Sequence, residues 1–169
     1  MKGKNASGDP VSGLNWIPAN SLKGWSRNRM ENACELILET TGESFNVDRL
    51  RNLPLDEKFG QWVLSDGRSD FGILWAMKLS NSCARVLAFS VSTQLQGKGN
   101  GAEGWRLFAR AAKSIGIREV QLEVRQDNVA AITMYRHRGL RPKGFISGYY
   151  RGQDGWLMRG PLRIESSSQ

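Results

Sequence analysis

The sequence of 169 residues has few of the side chains that build disulfide frameworks and metal sites, with two cysteines and one histidine. Cys34 and Cys83 are isolated and lack the spacing of a metal-ligand pair. This low content of cysteine and histidine favours a reduced, cytoplasmic protein without a bound metal over a protein that is stabilised by disulfide bonds. No apolar run reaches the length of a membrane span, and the polar opening residues do not resemble a secretory signal. We therefore expect no membrane association.

Basic residues outnumber acidic ones, 24 against 16, which gives a formal net charge of +8. Such a charge favours anionic partners such as nucleotide phosphates, acidic peptides or RNA, without choosing among them. A hydrophobic content of 40% with 24% charged residues is typical of a soluble globular domain. The length suits one domain with a sizeable core. We expect a flexible N-terminal arm over residues 1–13, a single domain over 14–163 and a disordered tail over 164–169.

The first half of the chain has the pattern of a structural scaffold and shows no evident chemistry. A short strand over residues 14–17 precedes a helix that begins at Asn20 or Ser21 and runs to about residue 40. Gly42 is positioned to end that helix. A short helix and two strands are predicted next, over residues 45–53, 59–64 and 71–79.

A glycine-rich loop between a strand and a helix is the most informative segment of the second half. Residues 84–91 are almost continuously apolar, as expected of a central strand buried on both faces. The following loop carries Gly97, Gly99 and Gly101 and opens into a helix that starts near Asn100. Glycines let a backbone approach a ligand closely, and amides at a helix N-terminus attract anions. The loop is either a phosphate site or only a tight turn.

The segments after this loop predict a parallel strand pair. The helix ends at Gly116, and residues 120–125 alternate apolar and polar side chains as a strand does. Strand, helix and strand with this spacing form a right-handed crossover between parallel neighbours. A second helix begins at Asn128, a good N-cap, and ends before Gly139. A closing hairpin is predicted over residues 145–151 and 156–158.

Two motifs occur in a characteristic order. Gln96-x-x-Gly99-x-Gly101 stands directly before a helix, and LEVRQDNVAAITMYRHRGL follows it. Together they resemble the GNAT superfamily of acetyl-CoA-dependent N-acetyltransferases. That family has a Q/R-x-x-G-x-G/A pyrophosphate loop, then a strand, an Asn at a helix start and a Tyr two turns later. The resemblance covers about residues 85–162 and implies a mixed α/β GNAT fold, a mostly antiparallel sheet with one central parallel pair flanked by helices.

The second motif continues into a Tyr-Tyr pair and a D-x-x-x-M ending at residues 154–158. Within the superfamily this pattern is most similar to the bacterial ribosomal-protein alanine N-acetyltransferases, which act on protein N-termini. The resemblance implies acetyl transfer from acetyl-CoA to a primary amine by direct attack in a ternary complex. A protein or peptide N-terminus is the preferred acceptor.

By the same resemblance, the acetyl-CoA site lies on the central strand and in the glycine loop. Phe89, Ser90 and Val91 would hydrogen-bond the pantetheine as a neighbouring strand would, with the amide near Val91 as the oxyanion donor. In this family the two central strands splay apart to admit the cofactor, commonly beside a bulge. The pyrophosphate would be held by the loop, which comprises Gln96, Gly97, Lys98, Gly99, Asn100, Gly101 and Ala102. The family commonly has a basic residue where Gly97 stands and an apolar one where Asn100 stands.

The resemblance also assigns catalytic roles. Glu123 matches the general base, Tyr135 matches the general acid that protonates the departing thiolate, and Asn128 is a cofactor contact. The residue types alone allow plainer interpretations. Glu123 is then a strand-face carboxylate paired with Arg125, Tyr135 a helix aromatic that covers the sheet, and Asn128 a helix cap.

Other polar and aromatic residues of the second half carry weaker expectations. Tyr149 and Tyr150 either wall the entrance for a peptide or pack across the strands of the hairpin. His137 is interpreted as a solvated helix residue and not a catalyst. Four cations either meet the 3′-phosphate of the cofactor, bind RNA or form an ordinary charged helix end, namely Arg136, Arg138, Arg141 and Lys143.

Two rival functions stay open at this stage. A small-molecule amine such as a polyamine or an aminoglycoside is the alternative acceptor, although a polycation needs several carboxylates at its site. A non-catalytic module that binds RNA or the ribosome through the basic surface is the non-enzymatic alternative. The pairing of Glu123 with Tyr135 argues against that alternative, and the net charge favours it. The sequence specifies no oligomeric state.

Overall fold

A computed structural model describes residues 13–164, which form seven strands and four α-helices. The strands are β1 Asn15–Pro18, β2 Gln61–Ser65, β3 Asp70–Lys78, β4 Cys83–Val91, β5 Glu119–Arg125, β6 Arg141–Tyr150 and β7 Gln153–Pro161. The helices are α1 Arg27–Thr41, α2 Val47–Arg51, α3 Asn100–Ser114 and α4 Val129–His137. The predicted arm and tail lie outside the described residues except for Gly13 and Ile164, so both stay predictions.

All seven strands belong to one sheet in the order β1-β2-β3-β4-β5-β7-β6. Only the central neighbours β4 and β5 run parallel, and every other pair is antiparallel. The predicted mixed α/β architecture with a central parallel pair is confirmed. The pair follows from the crossover through α3, because a helix between two strands returns the chain to the same end of the sheet.

The first helix starts later than the sequence pattern predicts. Ser21 caps only a single 3-10 turn over Leu22–Gly24. Ser26 caps α1 itself, because its hydroxyl accepts a hydrogen bond from the Arg29 amide at 3.1 Å. Two capping serines in succession are indistinguishable by residue type, so the choice depends on tertiary packing. Gly42 ends the helix with a φ of +74°, as predicted.

The closing hairpin is longer than predicted, since β6 and β7 together span Arg141 to Pro161 apart from a two-residue turn. None of the residues of the outer strand β6 is buried, and its sequence lacks the apolar alternation of an inner strand. Pairing with β7 extends it beyond the predicted segment.

The two faces of the sheet carry separate hydrophobic clusters. Helices α3 and α4 pack on one face through Trp105, Phe108 and Tyr135. Helix α1 and helix α2 pack on the other, where Trp75 lies in a cluster with residues of both helices. Consecutive residues of a strand point to opposite faces, so the inner strands are apolar on both sides.

The central strands part after a short stretch of pairing. The parallel register of β4 and β5 runs from Cys83 to Val86 on β4 and goes no further. The register of β4 against β3 shifts between Val86 and Ala88, so Leu87 is an extra residue in a β-bulge. This is the splayed arrangement that the GNAT resemblance implies.

Edge strand β1 is tied to the start of α3 through one tryptophan. The Trp16 indole Nε1 donates to the Asn100 carbonyl at 2.8 Å. Gly104, one turn further along the helix, makes room for the ring, because a Cβ there would lie 2.6 Å from Trp16 carbons. The end of the glycine loop is therefore packed against the first strand.

Replacing Gly104 by alanine should destabilise the fold by about 1–3 kcal/mol, because the added methyl group overpacks the Trp16 contact. The matched control is Gly101→Ala in the same helix, where a Cβ would meet only Phe89 at 3.7 Å. Chemical denaturation of both variants measures the difference. Equal stability of the two variants would contradict the described contact between Trp16 and α3.

Candidate active site

A cavity of about 470 Å³ passes through the gap between β4 and β5. On the α3 side it is lined by the glycine loop and by α4, including Gly99 and Tyr135. On the α1 side it is lined by the segment after α1 and by the hairpin, including Glu43 and Tyr149. The parted strands thus connect the two faces of the sheet, and one molecule can enter from each face.

The glycine loop has the local geometry of an anion site. Gly97 and Gly99 have φ values of +72° and +85°, which residues with a side chain rarely adopt. Gly99 is the N-cap of α3 and supplies no side-chain cap, so the first amides of the helix stay available to a ligand. The Gln96 side chain fixes the loop by donating to the Val91 carbonyl at 2.8 Å. Five of the seven predicted loop residues line the cavity, namely Gln96, Gly97, Gly99, Gly101 and Ala102.

The other two predicted loop residues direct their side chains elsewhere. Lys98 is exposed and donates from Nζ to the Gln94 carbonyl at 2.9 Å. Asn100 is buried, and its side-chain amide donates to the Leu95 carbonyl at 3.0 Å. The position that is usually apolar in the family thus carries a polar side chain whose hydrogen-bonding requirement is met inside the protein. Asn100 therefore stabilises the loop through a buried hydrogen bond to its backbone.

The end of β4 presents backbone donors to the gap. The Ser92 amide donates to the Phe71 carbonyl of the neighbouring chain segment at 2.7 Å. Because amides alternate along a strand, those of Phe89 and Val91 are directed to the opposite side, towards β5 and into the gap. The side chain of Ser90 is buried against α1, where its hydroxyl accepts from Thr40 at 2.8 Å. All three predicted β4 residues line the cavity.

Glu123 lines the cavity from β5 and is ion-paired with a residue that the sequence did not single out. Arg85 on β4 donates from Nε to the Glu123 carboxylate at 3.1 Å. The alternative pairing with Arg125 is wrong, because Arg125 instead contacts Asp127 through two hydrogen bonds of 2.9 and 2.7 Å. The partner comes from the adjacent parallel strand, and sequence spacing does not reveal it.

Glu43 is a second carboxylate in the cavity, and sequence analysis missed it. It lies just after α1 and accepts a hydrogen bond from the Tyr149 hydroxyl. Burial raises the pKa of Glu43 above its ordinary value, while the Tyr149 hydrogen bond and the charge of Arg125 partly oppose that shift. A single acidic residue after a helix-ending glycine belongs to no motif, so the sequence offered no means of finding it.

Arg125 fixes the segment that carries Glu43. Its guanidinium donates from Nη1 to the Thr41 carbonyl at 3.1 Å, at the C-terminus of α1. The same guanidinium lies over Gly42, so a Cβ at that position would displace it from the Thr41 carbonyl. A cation at a helix C-terminus is also favoured by the helix dipole. Strand β5 thus supplies Glu123 and positions the segment bearing Glu43.

Helix α4 places two predicted residues on the opposite wall. Asn128 caps the helix by accepting from the Ala131 amide at 3.2 Å, and it lines the cavity. Tyr135 is buried beside Trp105, with ring centroids 5.9 Å apart, and also lines the cavity. Burial raises the pKa of Tyr135 far above its ordinary value, so the phenol keeps its proton at physiological pH.

The two hairpin tyrosines occupy different positions. Tyr149 lines the cavity, and burial together with the adjacent Glu43 raises its pKa well above the ordinary value. The Tyr150 hydroxyl accepts a hydrogen bond from the Ser44 amide at 2.6 Å. Tyr150 therefore ties the hairpin to the segment between α1 and α2, and Tyr149 forms part of the wall.

Neither a metal site nor a membrane span is found in residues 13–164. No three side chains of His, Cys, Asp or Glu in this range are grouped so that they could hold a metal ion. None of the helices in the same range is both long and apolar enough to cross a membrane.

Residues 30–140 match the acetyltransferase (GNAT) family. The chain belongs to this family. Its reaction is therefore acetyl-CoA-dependent N-acetyl transfer, and the loop and gap described above fit the cofactor of that reaction. Among curated proteins, none matches this chain in sequence.

Solved structures support the fold. Ard1 from Thermoplasma volcanium matches with a TM-score of 0.73 and 22% identity, over 89% of this chain and 99% of that one. The ribosomal-protein-S18-alanine N-acetyltransferase from Escherichia coli has a TM-score of 0.72 and 15% identity, over 92% and 98%. Arabidopsis thaliana Naa50, in complex with the bisubstrate analogue CoA-Ac-MVNAL, has a TM-score of 0.67 and 14% identity, over 87% and 97%. At these identities the comparisons establish the GNAT fold. The class of acceptor amine has to be inferred from the residues of the site.

The raised pKa of Glu43 makes stability depend on pH. An ionised carboxylate whose folded pKa lies above its unfolded value of 4.5 destabilises the fold at neutral pH, and this cost disappears as the pH falls through the folded pKa. Glu43→Gln should therefore raise the Tm at pH 8, with a smaller gain at pH 5. Thermal unfolding at both pH values measures the gain, with exposed Glu57→Gln as the control. A gain that grows towards pH 5 would contradict the assignment.

Proposed function

We propose that this GNAT protein acetylates the N-terminal amine of a protein or peptide by direct attack in a ternary complex. The observation that carries this proposal is the charge balance at the acceptor end of the cavity. Three carboxylates, Glu43 and Glu123 in the cavity and Asp127 beside it, face two guanidinium groups, Arg85 and Arg125, which leaves one negative charge. A site with this balance suits a substrate that brings one positive charge.

A polyamine or an aminoglycoside fits such a site poorly. Both molecules carry several ammonium groups. Any ammonium group beyond the first would be repelled by a nearby arginine and would have no free carboxylate to pair with. A polypeptide N-terminus brings one ammonium group followed by neutral amides. The S18-alanine enzyme and the Naa50 complex with a peptide bisubstrate analogue are consistent with this acceptor class.

The acceptor end also has walls suited to an extended chain. The segment between α1 and α2 lies on one side and the β6–β7 hairpin on the other, joined by the hydrogen bond from Ser44 to Tyr150. Glu43 and Tyr149 lie at the inner end, where they line the cavity. We propose that this pair orients the incoming ammonium group and that Tyr149 and Tyr150 flank the first residues of the peptide.

In the proposed reaction, residues from three elements act in sequence. Glu123, held by Arg85, accepts the proton that makes the amine nucleophilic. As the amine nitrogen bonds to the thioester carbonyl carbon, the Val91 amide donates a hydrogen bond to the developing oxyanion. As the carbon–sulfur bond breaks, Tyr135 gives its proton to the leaving thiolate. The nitrogen loses its second proton to solvent as the amide forms, and Tyr135 regains a proton from solvent. The amides of the glycine loop bind the pyrophosphate.

Direct transfer needs no enzyme nucleophile. Neither Cys34 on α1 nor Cys83 at the start of β4 lines the cavity. Both thiols are free, and burial raises the pKa of each above its ordinary value, so neither is activated as a thiolate. Free thiols are also consistent with the cytoplasmic location that we propose.

Acceptor class is tested by CoA release from acetyl-CoA. The probes are two peptides and two small amines. Both peptides contain an internal lysine, and one has a free N-terminus while the other has a formylated one. The small amines are spermidine and kanamycin. Only the free N-terminus should support saturable turnover. Faster release with spermidine or kanamycin would replace the peptide acceptor by a small-molecule one. Absence of acetyl-CoA binding would favour the non-catalytic module.

Glu123→Gln should lower kcat by about 10²–10⁴, because the amide accepts no proton, while the Kd of acetyl-CoA stays unchanged. The comparison variant is Glu43→Gln, which should mainly raise KM for the peptide. Steady-state kinetics and calorimetry separate these effects. The opposite pattern, with kcat lost in Glu43→Gln and kept in Glu123→Gln, would assign the base to Glu43.

Tyr135→Phe should slow transfer about 100-fold by removing the acid, with little change in Tm. Ser26→Ala is the control, because it removes the cap of α1, lies outside the cavity and should cost about 1 kcal/mol of stability without slowing chemistry. Single-turnover kinetics and thermal unfolding test both variants. A lower Tm with normal transfer in Tyr135→Phe would make Tyr135 a packing residue.

A further inference from the structure

The excess positive charge of the protein is confined to the second half of the chain. Residues 104–163 contain twelve arginines and lysines and only four aspartates and glutamates, so they account for the whole formal charge of +8. The catalytic cavity does not explain this excess, because its arginines are matched by carboxylates.

Much of this charge collects at and beside one end of the sheet, on a surface that we call the basic end. It comprises five exposed side chains from four neighbouring segments, Arg118, Arg136, Arg141, Lys143 and Arg163. Contacts bring these segments together. Arg141 donates from Nη1 to the Arg136 carbonyl at 2.9 Å, and the Leu162 amide donates to the Arg118 carbonyl at 2.8 Å. The Arg163 guanidinium packs on Gly139, where a Cβ would lie 3.2 Å from Nη1.

The basic end lacks compensating acids. Among residues 13–164, none of its five cations takes part in an ion pair. Glu119, the carboxylate on the adjoining β5, is occupied by Arg159 at 2.9 Å. Five uncompensated cations on one surface repel each other and favour a polyanionic partner.

The basic end is separate from the cofactor site. Helices α3 and α4 both follow the parallel strands and begin at the same end of the sheet, beside the glycine loop. Arg136 lies eight residues after Asn128, about 12 Å along the helix. Arg118 directly precedes β5, at the strand end opposite the loop, and none of the five cations lines the cavity. An anion held by the amides of the glycine loop therefore lies at the end of the sheet opposite Arg118.

An exposed aromatic ring lies further along β6 from the basic end, level with Val124 of β5. Phe145 lies on edge strand β6, two residues after Lys143, and is 55% exposed. Its ring packs against Trp156 in an edge-to-face arrangement, with ring centroids 5.5 Å apart. An exposed ring near several exposed cations matches the two groups of a single-stranded nucleic acid, because phosphates bind guanidinium groups and unpaired bases stack on aromatic faces.

We propose that the basic end and Phe145 together bind a single-stranded nucleic acid. Arg118, Arg136 and Lys143 contact phosphates along the strand, and Phe145 stacks on a base. An acidic peptide satisfies the cations but offers no base to stack, and a duplex hides its base faces. This inference goes beyond the proposed function and does not depend on the acceptor of the acetyl group.

The test is fluorescence anisotropy of the full chain with a labelled, mixed-sequence 15-nucleotide RNA at several salt concentrations. The triple variant Arg118→Ala, Arg136→Ala and Lys143→Ala should weaken binding about tenfold or more and reduce the salt slope by about 2. The matched control removes three exposed cations of the first half, Lys23→Ala, Lys58→Ala and Arg68→Ala, with the same change in net charge. It should bind nearly as the parent does. Acetyl-CoA binding, measured alongside, should be unchanged in both triple variants.

Phe145→Leu separates stacking from charge. It keeps an apolar side chain but loses the ring, so affinity should fall about fivefold or more with an unchanged salt slope. Single-stranded DNA should bind as well, and a duplex of equal length should bind more weakly. Equal weakening by the two triple variants would overturn the location. Equal affinity for the duplex, or for a poly-glutamate peptide of 15 residues, would overturn the assignment to single strands.

Discussion

The pairing of β4 with β5 ends at Val86 and Leu122, and the arrangement of the active site depends on that end. Strand β4 continues to Val91 against β3, and β5 continues to Arg125 against β7. Pairing with β3 and with β7 holds the two strands in place, while the gap between them stays open. The bulge at Leu87 shifts the register of β4 by one residue and lets β4 turn away while it stays paired with β3. The gap gives the cavity two entrances, one from each helical layer.

Segments whose structure is determined locally could be predicted from the sequence. The glycine loop, the Asn128 cap and the parallel crossover each depend on neighbouring residues, and the structure contains all three. Contacts between distant residues could not be predicted. Glu43, the Arg85 partner of Glu123 and the Trp16 contact with α3 are set by packing across the sheet. The choice of Ser26 over Ser21 as the α1 cap depends on tertiary structure in the same way.

The balance of positive and negative side chains differs between two regions of the molecule. In the cavity each carboxylate has a guanidinium group nearby, which favours a substrate with a single charge. At the basic end the cations have no such partners within residues 13–164, which favours a polyanion. Helices α3 and α4 connect these regions, with their N-termini at the cofactor loop and their C-termini towards the basic end. One fold thereby keeps catalysis and electrostatic docking apart.

The most direct test of the central claim is amide hydrogen exchange of Phe89, Ser90 and Val91, measured by NMR with and without acetyl-CoA. If the gap receives the cofactor as a missing strand, saturation should slow exchange of Phe89 and Val91 about tenfold or more. Ser90, whose amide is directed towards β3, should change little. Binding of acetyl-CoA that leaves the Phe89 and Val91 amides unprotected would contradict the account.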